Sequence, residues 1–385
     1  MSRRKPDPDG YGSRRLPVWR AGLRDRLRRN HARANARQGY LRQPHDSGKI
    51  IWLKAGGSMQ SVRLGVELMG AIRQKRLDVR LVLTFENDYP EIIEPRVSGM
   101  RKIGLGYGPC DRPRVVNRVL KRLDPFAIIL VDTEFPERLA ELARAQGRHL
   151  LAFHTEPGSV AVEAAYPRDA AQEARWQTAG QGAYVAPAAD TRCQFVEAHA
   201  DTTLKSLAAQ GERHLWWWHG PAAQAAFIAA VWRASELAQD GLLFISLHGD
   251  DGEAAVADLR ISAWDRTALP AGHVVWVDDA RWLGALASAA TAVHLQQAAG
   301  EVLWQALAGG SALDTTAPVA EGVVLPESVP VTDDSVEALI SRWAVYHDSP
   351  ILARQIGDAC RRRFWDERRR VESVSREFLQ RVFDW

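Results

Sequence analysis

Two carboxylates, Asp132 and Glu134, stand directly after the apolar run "FAIILV". A carboxylate at the end of a buried strand can take a proton from a hydroxyl nucleophile. Two imidazoles hold similar positions, His219 after "HLWWW" and His248 after "GLLFISL". They suit a phosphate or a donor carboxylate. A third feature is the turn "GGSMQS", residues 56–61, which links the strand-like "KIIWLKA" to a helical pattern. Gly57, Ser58 and their neighbours could offer an anion free backbone N–H groups and the positive end of a helix dipole. Each feature also has a plain structural reading. Asp132–Thr133–Glu134 before Pro136 could cap a helix, a histidine after a strand is often a satisfied structural residue, and a glycine turn can be only a turn. The triple Trp216–Trp218 reads as core with one ring at an interface.

The elements that must position these residues alternate. "KIIWLKA", "VRLVLTF", "FAIILVDT" and "HLLAFHT" are short apolar runs, separated by helical patterns over Val62–Arg76, Arg114–Leu123 and Pro136–Gln146. "GLGYGP" reads as a loop. The series weakens after residue 170 and restarts with "HLWWWHG", "GLLFISLHG", "HVVWVDD" and "ATAVHLQ", and the chain ends in a long helical segment. Strands alternating with helices predict parallel βαβ units in two Rossmann-like α/β domains facing across a cleft. The expected division is a basic arm over 1–45, domains over 46–205 and 206–365, and a helix over 366–385 returning towards the first domain. Ligands of such sheets sit beyond the carboxyl ends of the strands, where the candidate residues stand.

Composition excludes several classes. The 385 residues are 46% hydrophobic and carry a net charge of only +3, so nothing global calls for nucleic acid. The 3 cysteines have neither zinc-site nor disulfide spacing and fit a reducing compartment. No apolar run approaches the roughly 20 residues of a membrane span. From Arg14 to Arg42 the chain is strongly basic, and Leu16, Trp19, Leu23 and Leu27 recur at helical spacing. Such a helix suits an anionic membrane surface; the alternative is packing on its own domain through the same apolar face.

The motifs together resemble the Kdo (3-deoxy-D-manno-octulosonic acid) transferases, glycosyltransferases of the GT-B fold. The family's first strand and turn read W-I-H-A-x-S-V-G-E-V-R, and "WLKAGGSMQSVR" has that layout with one extra residue. Asp132-Thr133-Glu134 stands at the family's E-T-E, "GLGYGPCDRP" resembles its Y-x-P-x-D segment, and "WRAGLRDRLRRN" its basic stretch. "TTLKS" echoes G-N-x-K, with Lys205 at the lysine. "WWWHGP" and "FISLHGDD" place His219 and His248 at the family's two histidines, with Leu247 where an arginine belongs. The resemblance implies a nucleotide-sugar donor, CMP-Kdo, as substrate and no further cofactor or metal. It also implies a lipid A-type or other envelope glycan acceptor, and a cytoplasmic protein held peripherally on the inner membrane.

The departures are equally specific. Ser61 or Gln60 replaces the first-turn glutamate that acts as the family's base, and neither can accept a proton as a carboxylate does. The N-x-x-E motif near the nucleotide reads "EVLWQALAGG", with Glu301 at the asparagine in one register and Trp304 or Gln305 at the glutamate. Two functions follow as expectations. One is a glycosyltransferase with Glu134 as substitute base and Asp132 in reserve. The other is an inactive GT-B homologue with a scaffold or regulatory role.

Overall fold

The computed structural model describes residues 11–180, 184–196, 202, 204, 213–248, 257–296, 300–316, 323–332 and 335–385. The chain divides into two compact units, residues 1–190 with 372–385, and residues 191–371.

The first unit is built on a seven-stranded sheet of β1 Ile50–Ala55, β2 Arg80–Phe85, β3 Ile103–Tyr107, β4 Pro125–Val131, β5 His149–Phe153, β6 Ala164–Tyr166 and β7 Tyr184–Val185. Its order is β3-β2-β1-β4-β5-β6-β7, and every pairing is parallel. The helices are α1 Arg15–Leu27, α2 His31–Arg37, α3 Met59–Lys75, α4 Pro90–Val97, α5 Pro113–Leu123, α6 Glu137–Ala145 and α7 Ala170–Ala179. β4, and β1 apart from Lys54, read as apolar runs because parallel strands are covered on both faces; Ile50, Trp52, Ile128 and Leu130 lie in the core with Val119, Leu120 and Leu139 from the covering helices. The segment read as a loop in "GLGYGP" is instead the edge strand β3. Its glycines conceal the strand signal, and pairing with β2 supplies the order, helped by the edge-on contact of Tyr107 with Phe85.

The second unit repeats the plan with β8 His214–Gly220, β9 Gly241–Leu247, β10 Leu259–Arg260, β11 Val274–Trp276, β12 Ala292–Leu295, β13 Ala312–Thr316 and β14 Val331–Thr332. The order is β10-β11-β9-β8-β12-β13-β14, again wholly parallel. Its helices are α8 Ala222–Arg233, α9 Leu283–Ala289, α10 Gly300–Gly309, α11 Val336–Asp348 and the start of α12 Pro350–Phe383. Trp216, Trp217 and Trp218 are all fully buried, so none of the three is an interfacial ring. Trp216 stacks on Trp343 of α11.

The end of α12 belongs to the first unit. There Phe378 meets Phe153 and Tyr166 edge-on, and Arg76 donates to the Val382 carbonyl.

Each sheet reverses its winding beside its first strand, between β1 and β4 in one unit and between β8 and β12 in the other. These are the places where parallel α/β sheets open a crevice at their carboxyl edge.

Candidate active site

β1 and β4 run in register to their ends, with Ala55 beside Val131. The next residues therefore meet: Gly56 N donates to the Val131 carbonyl at 3.2 Å, and a Cβ at Gly56 would collide with the Asp132 carbonyl oxygen. Only glycine allows this approach. Ser58 then caps α3, its Oγ accepting from Ser61 N at 3.0 Å. Ser61 is buried and turns towards β4, where its Oγ lies 2.6 Å from Asp132 Oδ2 and 2.8 Å from the Asp132 carbonyl oxygen. Ser58 Oγ stands 2.6 Å from Ser61 Oγ. With one proton each, Ser58 donates to Ser61 and Ser61 to Asp132. The chain of hydroxyls thus ends on a carboxylate, across the point where the winding reverses.

Asp132 itself adopts a left-handed backbone, φ 42°, a conformation uncommon outside glycine though tolerated by aspartate. Arg168, from the loop after β6, places NH1 3.7 Å from Asp132 Oδ1. Asp132 also acts electrostatically on the buried His154, whose imidazole pKa is pushed down to about 4, chiefly by burial, with Asp190 and Asp132 opposing that shift. Its Nε2 bonds the Ala189 carbonyl oxygen at 3.1 Å.

The other first-turn and third-motif residues are placed differently. Gln60 is half-buried on the first turn of α3, and Gly57 holds its carbonyl towards Asn87 Nδ2 at 2.7 Å and Tyr89 OH at 3.0 Å. Glu134 is exposed, and among the described residues its carboxylate has no hydrogen-bond or ion-pair partner. The Asp132–Thr133–Glu134 stretch does not cap the next helix. Asp111, the aspartate of "YGPCD", does so by accepting from Arg138 N at 3.0 Å and Leu139 N at 2.9 Å.

Sequence reasoning overlooked Lys54. It stands at the histidine of W-I-H-A, and its signal was a lysine inside an otherwise apolar strand. The buried ammonium donates to Thr133 Oγ1 at 3.0 Å and pairs with Glu86 Oε1 at 3.4 Å. On the face of β2 and β3 lies a cavity of about 480 Å³ lined in part by Tyr40, Phe85, Ile93, Val97, Leu105 and Tyr107.

In the second unit β8, β9 and β12 deliver a second cluster. Trp217 Nε1 donates to Ser246 Oγ at 2.8 Å, and the same Ser246 Oγ is hydrogen-bonded to His219 Nδ1, also at 2.8 Å. Burial, and then the neighbouring His248, hold the His219 pKa down at about 4, so at neutral pH it is a hydrogen-bond donor and not a cation. The His248 ring centre is 4.8 Å from that of His219, and its Nε2 bonds the Gln296 carbonyl oxygen at 2.8 Å. The structure thus joins two histidines set 29 residues apart in sequence (219 and 248). On α10, Trp304 is fully buried, with the Arg363 guanidinium over its ring, 5.4 Å from the centre. Glu301 and Gln305 are half-buried, and Gln305 Oε1 lacks a hydrogen-bond partner among the described residues. Lys205 lies outside the described residues.

Comparison with known proteins agrees with this plan. Among solved structures, Anabaena Alr3699/HepE in complex with UDP is similar at TM-score 0.57 and 12% identity, over 88% of this chain and 100% of that one. The UDP-GlcNAc 2-epimerase from Neisseria meningitidis bound to UDP-GlcNAc is similar at TM-score 0.53 and 9% identity, over 84% and 100%. At such identities the likeness shows the fold alone, two Rossmann-like units with parallel sheets. A comparison with curated protein sequences finds no match. Residues 26–155, which include β1 to β5, the GGSMQS turn and Asp132, match the N-terminal glycosyltransferase family described as 3-deoxy-D-manno-octulosonic-acid transferase (kdotransferase). This first domain is therefore a member of the Kdo transferase N-terminal family.

Proposed function

We propose that the protein is a glycosyltransferase in which Asp132 has taken over the base function of the missing first-turn glutamate. The observation that carries this reading is the 2.6 Å contact between Ser61 Oγ and Asp132 Oδ2. Ser61 is one of the two residues, with Gln60, that replace the family's glutamate, and its hydroxyl holds a carboxylate supplied just after β4. Asp132 is oriented on one oxygen by Ser61 and approached on the other by Arg168, whereas Glu134 is exposed and unheld. Positioning to within hydrogen-bond reach of the hydroxyl is what a general base requires first. This moves the assignment from Glu134, the choice from sequence, to Asp132.

The reaction is a displacement at the anomeric carbon of a nucleotide-activated sugar. Asp132 accepts the proton of the acceptor hydroxyl as its oxygen bonds that carbon, and the bond to the leaving phosphate breaks. His219, His248 and the half-buried polar groups of α10 are the groups we assign to the donor. Donors aimed at the oxygen where charge develops favour the transition state over the ground state. CMP-Kdo is the donor implied by the family resemblance. The relatives solved with UDP and UDP-GlcNAc make uridine nucleotides the other candidates. We assign the apolar part of a lipid-linked acceptor to the cavity beside β2 and β3.

Membrane attachment is part of the proposal. In α1, Val18 and Ala21 are buried against the domain, while Leu16, Trp19, Leu23 and Leu27 are all exposed. The apolar stripe seen in the sequence thus faces outward, flanked by Arg20 and Arg26. This outward face is the observation that supports contact with an anionic bilayer surface. Among the described residues no helix is long and apolar enough to cross a membrane.

A second reading, an inactive homologue with a scaffold role, is favoured by one feature: the buried Ser61 leaves the first turn with no group able to accept a proton. Incubating the protein with CMP-Kdo and UDP-sugars and measuring donor turnover separates the two. Turnover lost in Asp132→Asn supports the transferase reading; turnover of no donor supports the scaffold.

A further inference from the structure

The amino edge of the second sheet carries a cluster unrelated to the donor site. His214 opens β8, Asp240 precedes β9, and His347 lies near the end of α11. One ligand atom from each falls within 4.8 Å of the others. His219, five residues along β8 from His214, marks the opposite edge, about 17 Å away at the rise of an extended strand.

We propose that His214, Asp240 and His347 bind a divalent transition metal of the zinc class. Two imidazoles and one carboxylate are the donor set that zinc, cobalt and nickel accept, with a fourth position open to water. Three independent details favour a ligand here over a surface coincidence. First, His347 Nδ1 bonds Asp348 Oδ1 at 3.1 Å while its Nε2 faces Asp240 Oδ2 at 3.0 Å. A carboxylate on the far nitrogen is the arrangement that orients metal-bound histidines. Second, His214 Nδ1 is held by Thr291 Oγ1 at 3.2 Å, which leaves Nε2 available. Third, Asp240 Oδ1 is buried and has no hydrogen-bond partner among the described residues. Such an atom is costly unless something fills its lone pairs.

The geometry is close to what a metal needs. Ligand atoms about 2.0–2.1 Å from zinc in a tetrahedron stand about 3.4 Å apart, so the widest pair must close by roughly an ångström. The His347 and Asp240 side chains are 33% and 41% exposed, which leaves them free to make that adjustment and open to an entering ion. The metal would replace the proton that His347 Nε2 shares with Asp240 and fasten α11 to the amino ends of β8 and β9. Its role is structural, and the transfer chemistry proposed above does not depend on it.

The test uses the full chain stripped with a chelator and titrated with Zn²⁺ by calorimetry, with Co²⁺ as a spectroscopic probe. The expected result is one Zn²⁺ per chain, a rise in melting temperature, and the intense visible bands of tetrahedral Co²⁺. Asp240→Asn and His347→Gln should each weaken Zn²⁺ binding by at least about tenfold, and Asp348→Asn by about tenfold through loss of orientation. His248→Asn, at the other histidine pair, should leave binding unchanged. If His347→Gln melts lower without metal, His214→Gln with the Co²⁺ spectrum is the deciding variant. The proposal is overturned if the wild-type chain takes up no Zn²⁺, or if Zn²⁺ binds equally well to Asp240→Asn and His214→Gln.

Discussion

Ser61 and Asp132 lie 71 residues apart in sequence, yet the hydroxyl of one is 2.6 Å from the carboxylate of the other. The contact spans the line between β1 and β4 where the first sheet reverses its winding. Its existence rests on the in-register ends of those strands and on a glycine at position 56 that lets the two loops touch. On the proposed reading, this contact is what keeps a carboxylate beside the turn that lacks one of its own.

Gly56→Ala should break this arrangement. The new methyl group meets the Asp132 carbonyl oxygen, which belongs to backbone and cannot swing aside. Overpacking of this kind costs about 1–3 kcal/mol. The variant should unfold at lower urea and lose transfer, whereas Ser58→Gly should cost only a few tenths of a kcal/mol, as is usual for a cap replaced by glycine. Equal midpoints for Gly56→Ala and wild type would show that the loops do not touch.

The helix α1 is anchored by a buried ion pair, Asp25 to Arg37, at 2.6 Å. Arg37 also lies over the Tyr11 ring, 4.0 Å from its centre. Removing one member of such a pair leaves a buried charge uncompensated, at about 3–5 kcal/mol. Asp25→Ala should therefore destabilise the first unit and expose the segment around residue 28 to protease. Unchanged stability and protease resistance would contradict the buried pairing.

Vesicle sedimentation checks the outward face of α1. Binding to anionic vesicles should be strong at low salt and weaken as ~0.5 M salt shortens the screening length to a few ångströms. Trp19→Ser with Leu23→Ser should abolish it without changing the fold, since both side chains are exposed. Retention of binding in that double variant would place the lipid contact elsewhere.

The second unit should lose stability on acidification. His219 and His294 are both buried with pKa values held at about 4 by desolvation, helped by His248 and Arg342 respectively. In the unfolded chain each protonates near 6.5. The stability that these neutral rings allow is therefore present above pH 6.5 and is lost as pH falls towards 4. For His219 the full effect is on the order of 3 kcal/mol. Urea midpoints measured from pH 7.5 to 5 should fall in the wild type and fall less in His219→Gln. Parallel pH profiles would show that His219 does not titrate as a buried ring.

Much of the fold was legible because fully buried parallel strands must be apolar along their length. "KIIWLKA" and "FAIILV" announce themselves, and the helical pattern over Val62–Arg76 matches α3 except that the helix starts three residues earlier, at Met59. The edge strand β3 was not legible, since "IGLGY" is half-buried and two of its five residues are glycine, and its order comes from β2. In the site, the residue types at the strand ends could be read, but not their pairings. Ser61 to Asp132 and His219 to His248 depend on strand order and register, which local sequence does not encode. The same limit hid Lys54, whose partners Glu86 and Thr133 come from neighbouring strands' ends. The apolar stripe of α1 was visible as a pattern, but whether it faces the domain or solvent is decided by Val18, Ala21 and Asp25 on the other side.

The transfer rate of Asp132→Asn, compared with Glu134→Gln and wild type at saturating donor, bears on the base assignment without intermediaries. Loss of a positioned general base removes about 10²–10⁴ of the rate and leaves ground-state binding nearly intact. Asp132→Asn should therefore fall at least about 100-fold while its nucleotide affinity stays close to wild type, and Glu134→Gln should stay within about tenfold. A wild-type rate in Asp132→Asn, with turnover lost in Glu134→Gln, would contradict the assignment and return the base to Glu134.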